Sequence, residues 1–146
     1  MTRRLPFLVD RADIVKWADR IDARTEFPRV VRGLIRATND QVVSLQMRAA
    51  EGSGVPGYDG TSEALRATPF VPGGIAVWEL GVGDNPGEKA QSDYRSRTDD
   101  PLGVDPSQTT FVFVTPREWR GKDDWAQRKR SENVWADVKA FDVDDI

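Results

Sequence analysis

Two acids and one lysine have the types and spacing to do chemistry: Asp59 in GYDG, Glu79 in WELG, and Lys89 in the polar segment that follows. If the strands carrying Asp59 and Glu79 pair, their carboxylates can converge and hold a hard divalent cation through oxygen alone. Such a cation orients and activates water and neutralises charge developing on a phosphate. Glu79 shares a strand face with Ile75 and Val77 by period-two alternation, and a buried carboxylate without a partner or a metal is costly. Gly60 and Gly81 leave room near the backbone for a polyanion, and Lys89 could reach back over the GVGDNPG loop to a phosphate or an attacking water. Each residue also has an ordinary reading: Asp-Gly is a common turn pair, a strand-terminal glutamate is often solvated, and a lysine on a polar helix is usually just a surface charge. Their value lies in the combination.

The rest of the composition narrows the chemistry sharply. The chain has no cysteine and no histidine, which excludes disulfides, thiolate zinc sites and every imidazole-dependent mechanism. Carboxylate, lysine, arginine, tyrosine and hydroxyl chemistry remain. At 146 residues, 38% hydrophobic and 31% charged, the chain fits one globular domain. No apolar run approaches the roughly 20 residues of a membrane span, and the start MTRRLPFLVDRAD meets charge before a signal core forms. The expected location is the cytoplasm. A net charge of −3 does not advertise a nucleic-acid binder, although a basic face can coexist with an acidic total. Arg117, Arg120, Lys122, Arg128, Lys129 and Arg130, interleaved with Trp119 and Trp125, form one basic concentration. It reads as a nucleic-acid face or a surface docking to another domain.

Hydrophobic periodicity supplies the elements that must position these groups. Ile14, Trp17, Ala18 and Ile21 make one helical stripe; Phe27, Val30, Val31, Leu34 and Ile35 make a second, with Thr25 as cap and Pro28 in the first turn. Residues Gln41 to Ala49 alternate as a strand with Val43, Leu45 and Met47 on one face. A glycine-rich loop over 50–61 precedes strands at Ser62 to Thr68 and Ile75 to Leu80, with Trp78 assigned to packing. Then come a polar helix at Glu88 to Ser96, a loop to Gln108, the continuously apolar strand Thr109 to Thr115, a charged helix at Lys122 to Arg130 and a strand at Val134 to Phe141. The order α-α-β-β-β-α-β-α-β predicts a mixed α/β fold; neither GxxxxGK[ST] nor GxGxxG after a strand is present. The ending DVDDI looks like the start of another helix, so 1–146 reads as one domain cut from a longer chain.

The stretches PRVVRGLIRAT, GYDG, FVPGGIAVWELG, EKAQSDYRSRT, FVFVTPREW and VWADVKAFDVDDI together resemble an N-terminal nuclease-like domain of large bacterial defence-type proteins, within the restriction-endonuclease-like PD-(D/E)xK superfamily. The resemblance runs from Ala12 onward. It implies a four- or five-stranded mixed sheet flanked by helices, and Mg²⁺-dependent cleavage of DNA phosphodiesters, with Mn²⁺ as a substitute. The family's first acidic strand position falls on Asp59 and its second on Glu79, and a further metal-ligating acid from the first core helix falls on Glu26. The family's lysine, two residues after the second acid, is Gly81 here. Either that role has moved to Lys89, or the domain only binds nucleic acid or a protein partner. Tyr94, Arg95 and Arg97 follow Lys89 and are the candidate nucleic-acid contacts, the arginines meeting phosphates that flank the cleavage point. Cleavage of both strands would be easiest for a homo-oligomer. An unrelated α/β interaction domain is the remaining reading.

Overall fold

The computed structural model describes residues 10–20, 23–47 and 57–146. The elements run α1 (Arg11–Ala18), α2 (Ala23–Thr38), β1 (Val42–Met47), β2 (Gly60–Ala64), β3 (Gly74–Leu80), α3 (Pro86–Asp99), a 3-10 turn (Pro106–Gln108), β4 (Thr109–Val114), α4 (Lys122–Arg130) and β5 (Asp137–Phe141). The five strands form one sheet in sequence order. The first three run as an antiparallel meander, and β4 and β5 join in parallel. The fold is therefore α/β, with a mixed, open, five-stranded sheet flanked by helices. No helix among the described residues is long and apolar enough to cross a membrane.

Strand alternation divides the interior in two. Every residue of β4 is buried; Phe111 and Phe113 point into the core under α3 and α4, whereas Val112 and Val114 point into the core under α2. A parallel strand covered on both faces needs this continuous apolar run. Helix α2 supplies Phe27, Val31 and Ile35 to its side at helical spacing; because the helix starts at Ala23, Pro28 lies inside it and not in its first turn, and the Arg24 carbonyl receives no amide proton from position 28. On the same side Trp78 is fully buried, and its indole donates a 2.9 Å hydrogen bond to the Ser62 hydroxyl on the neighbouring strand. Helix α3 starts where Asn85 caps the Glu88 amide and Pro86 occupies the first turn. This fixes where Lys89 leaves the helix.

Several boundaries differ from the sequence expectation for identifiable reasons. Strand β2 spans Gly60–Ala64 rather than Ser62 to Thr68, because Thr68 is taken up in a turn in which its amide donates to the Val71 carbonyl. The strand thus begins directly after Asp59. A bulge between Val42 and Ser44 moves β1 by one residue, so Val42, Leu45 and Met47 pack on the core while Val43 is 57% exposed. Helix α2 begins at Ala23, which puts Thr25 inside its first turn instead of at the cap. The terminal DVDDI forms a turn, with the Asp145 amide on the Asp142 carbonyl, not a helix. The expected charge-interrupted N-terminus, Ile21, the end of the first strand and most of the glycine-rich loop lie outside the described residues.

The division of faces has a direct test. Trp78→Ala opens a void and strands the Ser62 hydroxyl, so urea unfolding should show a loss of about 3–5 kcal/mol. Val43→Ala should stay within about 0.5 kcal/mol. The reverse ranking would mean that the strand faces are assigned the wrong way round.

Candidate active site

The antiparallel register of β2 and β3 pairs Gly60 with Trp78, which brings Asp59, one step further on, opposite Glu79. Asp59 is held there by the Leu80 amide, which donates to its Oδ2 at 2.8 Å. Glu79 is 2% exposed and lies on the side of the sheet covered by α3. Arg97, near the end of α3, donates from Nε to Glu79 Oε1 at 3.0 Å. The same guanidinium donates to the Gly57 carbonyl and lies 5.1 Å from the centre of the Tyr58 ring, and the Tyr58 hydroxyl is anchored on the Pro101 carbonyl. Arg97 thus fastens the residues just before Asp59 to the acid on β3.

Burial pushes the Glu79 carboxyl up to about 8, and the negative charges of Asp59 and Asp93 add to the shift; Arg97 offsets only part of it. Asp93 is itself 9% exposed and its carboxyl is raised by burial, against the opposing pull of Lys89. Lys89 Nζ lies 2.9 Å from Asp93 Oδ1, one helical turn away on α3. The second oxygen of Asp93, Oδ2, is buried with no hydrogen-bond partner. The centre therefore holds more negative charge than its cations neutralise, and it favours uptake of a proton or a cation.

Gly81 explains how Lys89 enters this centre. A Cβ at position 81 would fall 3.0 Å from Lys89 Cγ and 2.9 Å from the Phe113 ring, both too close for an ordinary contact. The stem of Lys89 therefore crosses the space that a side chain at 81 would need. Its side chain is half exposed beside a cleft of about 390 Å³ whose walls include Arg24, Phe27, Asp59, Gly81, Gly83 and Lys89.

The structure brings Asp59, Glu79 and Lys89 into one neighbourhood and treats the other expected site residues differently. Glu26 stands exposed on α2 and does not line the cleft. Tyr94 is a core residue: its ring meets Phe111 and Trp125 edge-on, and its hydroxyl donates to Glu132. Arg97 is turned inward onto Glu79, while Arg95 is exposed. The later basic concentration is largely engaged internally. Arg117 binds the Val82 and Ala18 carbonyls and Asp19; Lys122 pairs with Asp123 and Asp145, and Arg130 binds the Val138 carbonyl. Trp125 is buried, and Trp119 packs between Phe113 and Trp125. Asp93 and Arg24 were not among the site residues expected from the sequence. The Lys89–Asp93 spacing of four on a polar helix was the available signal for Asp93.

The donor set is all oxygen, as a hard cation requires, and each acid of the pair uses one oxygen on a protein donor: Asp59 Oδ2 on Leu80 and Glu79 Oε1 on Arg97. Among the described residues no group of three or more acids stands together ready to hold a metal. A small cation that keeps most of its water and leans on one or two carboxylates, as Mg²⁺ does, matches this pair better than a fully protein-caged ion. Searches of protein-family models, curated proteins and solved structures give no match to this chain.

The charge at Glu79 predicts a pH dependence. Its carboxyl rises from an ordinary 4.5 to about 8 on folding, so the folded state holds the proton more tightly than the unfolded state. The resulting stability is complete below pH 4.5 and is lost as pH rises towards 8. The thermal midpoint of the wild type should fall across this window, by an amount equivalent to about 2–4 kcal/mol. Glu79→Gln should show a shallower decline. Equal slopes in the two proteins would mean that Glu79 is not the titrating group.

Proposed function

We propose that this chain is a Mg²⁺-dependent endonuclease of the restriction-endonuclease-like kind, hydrolysing DNA phosphodiester bonds, with antiviral or anti-plasmid defence in the cytoplasm as its setting. The observation that carries the reading is the juxtaposition of Asp59 and Glu79 on paired strands with Lys89 threaded over Gly81. It supports the transfer of the family's lysine role to the following helix.

In this reading Asp59 and Glu79 would hold the cation, with Mn²⁺ as a substitute. Mg²⁺ supplies activation of a water and neutralisation of charge on the phosphate. Lys89 presents its ammonium to a non-bridging phosphate oxygen or to the attacking water, where a fixed donor stabilises the charge that develops. Asp93 keeps that ammonium on the cleft side of α3. Arg97 holds Glu79 in place and favours its ionised form against the cost of burial. Hydrolysis adds water to the phosphorus, breaks one P–O ester bond, and leaves a phosphomonoester, a hydroxyl terminus and a released proton.

A second reading is favoured by Arg97 itself. A guanidinium already paired with Glu79 satisfies part of the charge that a metal would satisfy. It suits a catalytically idle module that binds nucleic acid or a protein partner.

Nicking of supercoiled plasmid separates the two readings. The wild type should nick with Mg²⁺ or Mn²⁺ and not with EDTA, and Asp59→Ala, Glu79→Ala and Lys89→Ala should each lose about a hundredfold or more. A folded wild type that never nicks with either metal would favour the idle module.

A further inference from the structure

The cleft beside Asp59 has a cation on each rim. Lys89 stands on the α3 side, and Arg24, in the first turn of α2, stands on the other. The two differ in their commitments. Lys89 gives one bond to Asp93, and its side chain is half exposed. Arg24 is exposed, and among the described residues it has no hydrogen bond or ion pair. This is not the general condition of arginines near the site: Arg97 is fastened to Glu79 and Arg117 to Asp19 and two carbonyls. Between the rims lie Phe27, Leu80 and the glycine-bearing turn that follows Glu79. The Asp59 carboxylate also lines the cleft, so the two rim cations flank an acidic floor.

We propose that Arg24 is a phosphate-binding residue of this cleft, so that a nucleic-acid backbone is seated between Arg24 and Lys89 over Asp59, and not along the outer face of α3. The proposal rests on the nuclease reading and adds to it the path of the substrate. A volume of about 390 Å³ lies within the range of small-ligand pockets, enough for a phosphodiester unit with its adjoining sugar. Arg24 can take two phosphate oxygens with its planar fork while Lys89 acts as a point charge on the other rim. The outer α3 face offers Arg95 alone, since Tyr94 is in the core and Arg97 is turned onto Glu79.

The test is binding of a labelled oligonucleotide, single-stranded and duplex, to the full chain with Ca²⁺ in place of Mg²⁺, followed by fluorescence anisotropy over a series of salt concentrations. Arg24→Ala should weaken binding about five- to tenfold at low salt and reduce the salt slope by about one, whereas Arg24→Lys should retain the slope. Arg95→Ala should behave as wild type. Binding by Arg24→Ala with unchanged affinity and slope, while the wild type binds, overturns the seat at Arg24 and leaves the nuclease reading standing. A wild type that binds neither strand form overturns both. Thermal midpoints of each variant, measured in parallel, separate loss of a contact from loss of the fold.

Discussion

The site depends on one costly placement, the carboxylate of Glu79 buried at the end of a central strand. An acid in that position must have a cationic partner, take up a proton or recruit a metal. Arg97 answers the demand only in part, because Asp59 and Asp93 add negative charge to the same neighbourhood. The surrounding structure is arranged around this imbalance. The β2–β3 pairing sets Asp59 opposite Glu79, the Leu80 amide holds Asp59, and α3 carries both Lys89 and Arg97 back across the end of the sheet. A structure selected for stability alone would do better with an apolar residue at 79, since replacing buried ionic groups with well-packed hydrophobic ones is often neutral or stabilising.

Helix α3 connects the fold to the chemistry. Its inner face packs Ala90 and Tyr94 into the core and thereby sets its rotation. With the rotation fixed, Lys89 and Asp93 fall one turn apart and Arg97 one turn further, all directed towards the end of β3. Tyr94 is thus a structural part of the site: its edge-on contacts with Phe111 and Trp125 determine where its helical neighbours point. Gly81 contributes by lacking a side chain, which leaves room for the lysine stem.

Much of this arrangement was legible in the sequence because it rests on strong local patterns. The continuous apolar run of β4, the helical spacing of Phe27, Val31 and Ile35, and the alternation that puts Glu79 beside Val77 all gave the element order. What escaped depended on three-dimensional neighbours. The bulge that exposes Val43 is a property of the β1–β2 register, and the early start of β2 follows from the turn around Thr68. The direction of Arg97 was unreadable for the same reason: a charged residue late on a polar helix looks solvated until the strand end beneath it is seen to carry a buried acid. Arg24 was hidden in a helix start whose pattern announced only its apolar face.

The proposed cation site at Asp59 and Glu79 owes its charge demand to the burial of Glu79. Calorimetric titration of the wild type with Mn²⁺ near pH 7, repeated in buffers of different ionisation enthalpy, measures both occupancy and the accompanying proton change. One ion should bind with release of a proton, and both should be lost in Glu79→Gln. Absence of binding, or binding with the same proton balance in Glu79→Gln, would contradict a cation site there.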